Sequence, residues 1–497
     1  MKKTTRWMCF VLCLLMLGGS LLSCKKGKGE GDGTTAAPVT VATGENGETT
    51  WETDQNGYIK DRIPEVDLGG REISVLAWAS NEDYLFPKDG EGKDNVRREV
   101  YMRNLELKAR LNVEFSPVFA KADWAQEELL SMATQSGDAG YDLISSYSLW
   151  PAAIAQQQML LNLNNYAFPD FEMPWWPDSV KEWEQHGSLF FVGSTSSIRV
   201  VHSMEVMFAN VQIINDHGFE DPVDLVLSGN WTLEKMKDMV ASFNGNAIVE
   251  DENAKMYGLV VDDHSRMDAF YYGFGFNNTR NDANGVAQLA FTTTSEIDKV
   301  TSAVDRMINI MNKPEATIAK NTTALMENKK TAFMVCAMGD IRRMEDKSIY
   351  AALPIPKIDE SQETYKVINN NGYDVWCIPT YARDPDTSAL IMEAFASSDY
   401  RTLAPYFYED SLKYAYALNS KGAQVYDLIR SSVVYDFGRV SVLSCSSPDG
   451  AWRTCFWSGS EVVCQNSFAS SVESISSTAE VKLAKVLDIY RSLKDRK

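Results

Sequence analysis

The sequence predicts an α/β fold arranged in two lobes, and three observations carry that prediction. Short apolar runs alternate with helix-like segments from Glu72 to Leu160, the rhythm of strands joined by helical crossovers in a mostly parallel sheet. About 430 residues follow a polar N-terminal stretch, too many for one core and typical of two. After the first two dozen residues no segment resembles a membrane-spanning helix, which needs roughly 20 apolar residues, so the body is expected to be soluble.

The elements follow in order. Glu72-Ile-Ser-Val-Leu-Ala-Trp78 reads as a buried parallel strand, followed by a helix from about Val96 to Leu111 and a strand at Asn112–Phe115. A helix over 124–133, a strand at Tyr141–Ser146 and a helix from Pro151 to Leu160 complete this alternation. Ligands bind beyond the carboxyl ends of such strands, and here those ends carry Trp78-Ala-Ser-Asn81 and Ser146-Tyr-Ser-Leu-Trp150. Strands at Gly187–Val192 and Met204–Ala209 then flank a polar segment, Gly193 to Arg199. A helix from Val211 to His217 stops at Gly218, a natural C-cap. Another helix begins around Trp231, and a mixed stretch runs to Lys330. Thr331–Val335 and Tyr350–Leu353 are further short strands. The prolines of Leu353-Pro-Ile-Pro-Lys357 impose an extended connector. Ser388–Ala396 and Thr478–Leu493 are the clearest helices of the last quarter, and no internal repeat is present.

The N-terminus has the pattern of an export signal. Lys2, Lys3 and Arg6 precede an apolar run, Trp7 to Leu17, that is too short to cross a membrane. Leu21-Leu22-Ser23-Cys24 resembles the bacterial lipobox. The resemblance implies removal of residues 1–23 and diacylation of Cys24, and two acyl chains hold a protein stably on a bilayer. From Lys25 to about Gly57 the chain is Gly, Thr, Glu, Lys and Asp with little aliphatic content, so residues 24–64 are expected to form a flexible tether.

The formal charge is −20, a balance that argues against nucleic acid and anionic lipid surfaces as partners. Cys336, Cys377, Cys445, Cys455 and Cys464 remain after the signal and Cys24. Cys445 and Cys455 flank a Pro-Asp-Gly turn and could pair, or all five could be buried thiols. No CxxC or Cys/His cluster suggests a metal, and no cofactor motif or P-loop is present.

A series of short motifs is similar, in order, to the family 1 extracellular solute-binding proteins, the maltose-binding-protein-like class that serves ABC importers. They include Gly140-Tyr-Asp-Leu143, Pro174-Trp-Trp-Pro177, Phe208-Ala-Asn210 and Gly229-Asn-Trp-Thr-Leu-Glu-Lys235. Lys330-Thr-Ala-Phe333, Leu353-Pro-Ile-Pro-Lys357 and Glu393-Ala-Phe-Ala-Ser-Ser398 follow. The resemblance implies a periplasmic-binding-protein-like fold, with a solute held in a cleft between two hinged lobes. By that analogy lobe 1 spans 65–200 plus 360–425 and lobe 2 spans 201–359 plus 426–497. The connectors would be Ser194–Val201 and Pro354–Glu360. The protein would perform no chemistry itself. It would stand lipid-anchored on the outer face of a bacterial cytoplasmic membrane and pass its solute to the importer's permease subunits.

The solute class is read from aromatics, since 12 Trp, 21 Tyr and 21 Phe are available. Sugars present C–H patches that aromatic faces cover and hydroxyls that Asp, Asn, Arg and amides bond. The expected contacts are Trp78, Asn81, Tyr147 and Trp150 at strand ends, and Arg199 and Glu205 by the first connector. Asp340 after the Thr331 strand, Asn371 and Tyr373 after the second crossing, and Trp452 and Trp457 in a C-terminal loop complete the set. Arg199 and Glu205 could instead pair with each other, Trp231 reads as a core residue, and Trp175 and Trp176 fit either packing or the cleft. Asp262-Asp263-His264 reads as a solvated loop rather than a metal site. A peptide or polyamine solute, or a sensory role, fits the same fold. A surface enzyme or adhesion module lacks a glycosidase pair or a GxSxG turn to support it.

Overall fold

The computed structural model describes residues 42–43, 49–91, 95–121, 128–129, 140–194, 197–243, 255–319, 325, 330–344, 346–407, 417, 419–441, 447–458 and 461–496. The export signal, Cys24, most of the tether, most of the 124–133 helix and Cys445 lie outside them. An N-terminal unit ends at Thr50, where Ala42–Thr43 pairs antiparallel with Thr49–Thr50; the body begins at Trp51.

Two sheets organise the body. Their strands are β1 (Arg71–Ala77), β2 (Val113–Phe119), β3 (Leu143–Tyr147), β4 (Glu205–Asn210), β5 (Tyr257–Asp262), β6 (Ala316–Ala319), β7 (Thr331–Ala337), β8 (Tyr350–Leu353) and β9 (Asp374–Cys377). The first sheet has the order β9-β3-β1-β2, parallel except for β9. The second has the order β6-β5-β7-β4-β8, with β4 antiparallel to both β7 and β8. β4, β7 and β8 are buried at every position, which is why they read as continuous apolar runs rather than alternating ones.

The main helices are α1 (Asn95–Leu111), α2 (Pro151–Gln156), α3 (Ile198–His202), α4 (Leu233–Ala241), α5 (Thr294–Met311), α6 (Pro385–Arg401), α7 (Ser420–Ser431) and α8 (Phe468–Ser492). Helix α5 starts from a capping box, Thr293 with Glu296, and buries Val300, Ala303, Val304, Met307, Ile310 and Met311 along one face. Helix α6 anchors the first lobe through Glu393, whose carboxylate accepts the indole N–H groups of Trp175 (3.0 Å) and Trp176 (2.8 Å). Those two tryptophans are therefore packing residues. So is Trp231, fully buried with its indole donating to the Pro354 carbonyl at 3.1 Å.

Two expectations about the tether and the second connector are corrected. The tether was expected to reach residue 64, but Trp51 onward is docked on the body. Asp61 accepts from Arg110 (2.7 Å), Arg401 (3.0 Å) and Ser397 (2.8 Å), while Arg62 lies over Trp51 and pairs with Asp170. The segment is poor in aliphatics, yet its few aromatic and charged side chains all find partners. The second correction concerns the hinge. Of the expected connector Pro354–Glu360, residues 354–357 run without helix or turn, as the prolines require, and 358–360 bend and turn, but the segment stays beside the second sheet: Lys357 N–H donates to Trp231 O and Leu233 N–H donates to Lys357 O. The chain instead crosses at Asn369–Tyr373, next to the first crossing at Ser197–Met204. Asn370 N–H donates to Ser203 O at 2.8 Å, the Asn369 amide donates to Ser203 Oγ at 2.7 Å, and Ser148 N–H donates to Tyr373 O at 3.1 Å.

Helix α7 packs on β8 in the second lobe, although its first residues were expected in the first. The strand expected at Gly187–Val192 makes only single bridges, at Ser188 and Val192. Cys336, Cys377, Cys455 and Cys464 are free, buried thiols.

Candidate functional site

The carboxyl ends of the parallel strands place one set of side chains on each lobe. On the first, Trp78 follows β1 directly and is only 2% exposed. Its ring meets Tyr147 edge-on at 5.3 Å, and the Arg199 guanidinium covers it at 4.7 Å. The same guanidinium lies 4.0 Å from the Tyr84 ring and donates to Asn81 Oδ1 (3.3 Å) and to the Ser80 carbonyl. Asn81 also donates to Ser145 Oγ. Trp78 is thus a platform that sets Arg199, not an open stacking face. Tyr147 and Trp150 remain half-buried, Trp150 standing at the start of α2.

On the second lobe the register of β4 against β7 pairs Glu205 with Ala337. That brings the loop carrying Asp340 beside Glu205. Arg266, which follows β5, reaches both: it bonds Glu205 and lies 3.7 Å from Asp340. Arg199 and Glu205 are therefore not each other's partner. Burial pushes the Glu205 carboxyl up to about 7, against the opposing pull of Arg266. His202, on the crossing helix α3, is pushed down to about 4, first by burial and then by Arg199, Arg343 and Arg266. Its ring passes so close to Gly339 that a Cβ there would lie 2.0 Å from it, so only glycine fits. The edge of Tyr84 touches the same imidazole, with centroids 5.9 Å apart. His202 therefore joins the first-lobe strand end to the second-lobe loop.

Past β5 the backbone of Asp263 takes a positive φ of 72°, uncommon for a residue with a side chain. This turn presents His264 flat against Trp457, with centroids 5.1 Å apart and planes 13° from parallel. The pair lines a cavity of about 460 Å³ with Arg453, Thr454, Ser471 and Ser474. Arg453 is oriented by Asp268, which accepts its Nε–H at 3.0 Å.

The remaining expected contacts sit deeper. Asn371 accepts from Arg439 at 3.1 Å, and Arg439 also pairs with Asp268 and Asp449. Tyr373 is buried in the hinge against Tyr435. Trp452 does not close over a cleft: it is fully buried, its indole donating to the Met267 carbonyl at 2.9 Å among Tyr271, Phe274 and Phe456. The residues missing from the sequence reading are Tyr84, His202, Arg266 and Arg453, and His264, read there as part of a solvated loop, stacks on Trp457 instead. His264 and Arg266 follow β5 and His202 ends α3, elements that the mixed stretch and the polar connector concealed. Among the described residues no cluster of three His, Cys, Asp or Glu side chains could hold a metal.

No protein-family model matches the sequence, and no curated protein sequence matches it. Solved structures do resemble it. A cyclo/maltodextrin-binding protein complexed with maltotetraose aligns with a TM-score of 0.52 at 14% identity, covering 86% of this chain and 98% of its own. The galacto-N-biose/lacto-N-biose I-binding protein of an ABC transporter from Bifidobacterium longum, in complex with lacto-N-biose, gives 0.53 at 10%, covering 85% and 98%. A sugar transporter from Rhizobium etli in an open conformation gives 0.54 at 10%, covering 85% and 99%.

Proposed function

The chain has the two-lobed fold of the maltose-binding-protein-like solute-binding proteins, and from that premise we propose that it captures a carbohydrate by closing its lobes and delivers it to an ABC importer. The observation that carries this reading is the chemistry gathered at the strand ends of the two sheets. Tyr147 and Trp150 on one lobe and the His264–Trp457 pair on the other offer flat faces for C–H patches. Arg199, Arg266, Asp340 and Arg453 hold donors and acceptors already aligned by their neighbours, the preorganisation that hydroxyl recognition rewards. Two of the structures it resembles were solved with maltotetraose or lacto-N-biose bound, which supports the same class. A solute touching both lobes favours the closed form, the state a permease would select.

The proposed anchor is Cys24, which would place the protein on the outer face of a bacterial membrane. Among the described residues no helix is long and apolar enough to cross one. Asp61 would hold the end of the tether to the first lobe.

A thermal-shift panel of mono- and oligosaccharides, peptides and polyamines tests the reading. A ligand at 100 times its Kd adds about 2.7 kcal/mol to the folded state and raises the melting temperature by roughly a few degrees. A shift with an oligosaccharide class supports the proposal. A shift confined to peptides or polyamines keeps the fold and discards the sugar.

A further inference from the structure

A second and larger cavity, of about 820 Å³, opens on the flank of the hinge. One wall is the segment 171–181, held to the first lobe by Trp175 and Trp176 on Glu393. The other is the end of α7, with Asp427, Arg430 and Ser431, and the extended Val433–Tyr435 beyond it. This wall belongs to the second lobe through the packing of α7 on β8, and Val433–Val434 pairs with Val367–Ile368 just ahead of the second crossing. None of the strand-end residues lines the cavity, so it is separate from the cleft site.

Its chemistry is that of a saccharide site rather than an ion site. Phe171 is half-buried and supplies the aromatic face of the groove, its ring backed edge to face by the packed Trp176 with centroids 5.8 Å apart. Lys181 and Arg430 stand against Glu172, Asp178 and Asp427, so both signs are present and no ion of either charge is singled out. Tyr435 closes the inner end, its ring packed on Trp183 and Tyr373, and it is 3% exposed. Its hydroxyl is buried and has no hydrogen-bond partner among the described residues. The volume falls within the range of small-molecule sites, roughly 300–1,000 Å³.

We propose that this hinge-flank groove is a second saccharide site, an inference that rests on the carbohydrate reading of the cleft. An occupant touches both lobes across the hinge, so its binding is linked to the lobe angle and through it to occupancy of the cleft.

Calorimetric titration of the full chain in detergent micelles, with maltotetraose and with lacto-N-biose as probes, tests it. Two binding steps are expected for at least one sugar. Ser431→Trp, at an exposed position on the groove wall, should remove the second step and keep the first. Trp150→Ala should weaken the first and keep the second. A single step untouched by Ser431→Trp overturns the groove site and leaves the cleft reading standing. Binding of neither sugar overturns both.

Discussion

Asp61 offers a sharp test of how the N-terminal segment is joined to the body. Its side chain is only 3% exposed. Burial pushes its carboxyl up, but hydrogen bonds and charge from Arg110, the charge of Arg401 and the Ser397 hydroxyl outweigh that and hold it at about 2, from an ordinary 3.8. At 1.36 kcal/mol per pH unit, the drop corresponds to about 2.4 kcal/mol of folding free energy. Because the folded value lies below the unfolded one, this contribution is complete above about pH 4 and disappears as pH falls from 3.8 toward 2. Asp61→Asn should therefore lose about 2–3 kcal/mol at pH 7 in urea unfolding. Its deficit should shrink toward zero near pH 2, where wild type has lost the same term. Deleting residues through Thr50 should leave stability unchanged, whereas deleting through Pro64 should cost at least as much as Asp61→Asn. Equal stability of Asp61→Asn and wild type at pH 7, or a deficit that persists undiminished at pH 2, would refute the clamp.

Three further outcomes follow from the site and its supports. Trp78→Ala should cost about 3–5 kcal/mol of stability in chemical unfolding, whereas Trp150→Ala should leave stability nearly unchanged and weaken sugar binding about tenfold by calorimetry. Arg266→Ala strands the buried Glu205 without its cation, while Asp340 keeps Arg343 at 3.3 Å, and should cost about 3–5 kcal/mol; Arg266→Ala with Glu205→Gln should recover part of it, measured as a double-mutant cycle. Burial pushes Glu393 up to about 8 despite three N–H donors, so the folded state holds a proton that the unfolded state has released. Stability should therefore be greatest below about pH 4.5 with respect to this group and decline as pH rises toward 8, and Glu393→Gln should flatten that slope in unfolding measured across pH.

Part of this architecture is legible in the sequence because β4, β7 and β8 are buried at every position and β1 is buried from Val75 to Ala77. Arg71–Ala77, Thr331–Ala337 and Tyr350–Leu353 announce themselves as apolar runs, and the two prolines after Leu353 do enforce an extended chain. The pattern does not say where that chain goes. An extended Pro-Ile-Pro segment serves equally well to cross a hinge or to seal a tryptophan, and only the Lys357–Trp231 hydrogen bonds decide it. Helix α5 was concealed inside the mixed stretch although Thr293-x-x-Glu296 and the apolar spacing after Val300 mark it.

The site divides in the same way. Strand ends point to Trp78, Asn81, Tyr147, Trp150 and Asp340, because parallel sheets expose those ends, and the first connector points to Glu205. Partnership across distant sequence is not encoded locally. Glu205 meets Arg266 across 61 positions, and Trp457 meets His264 across a still longer interval. Trp452 and Trp457 lie five positions apart, yet one faces the core and the other the cavity, a difference set by the short helix Pro448–Thr454 that ends between them.

The most direct test of the central claim is calorimetric titration of the sugar that stabilises the protein most, against wild type, Trp150→Ala and Trp457→Ala. Each substitution is expected to weaken binding about tenfold or more while the fold stays intact, because the proposed site draws one ring from each lobe. Affinity unchanged in both variants would contradict it and move the solute away from the strand ends.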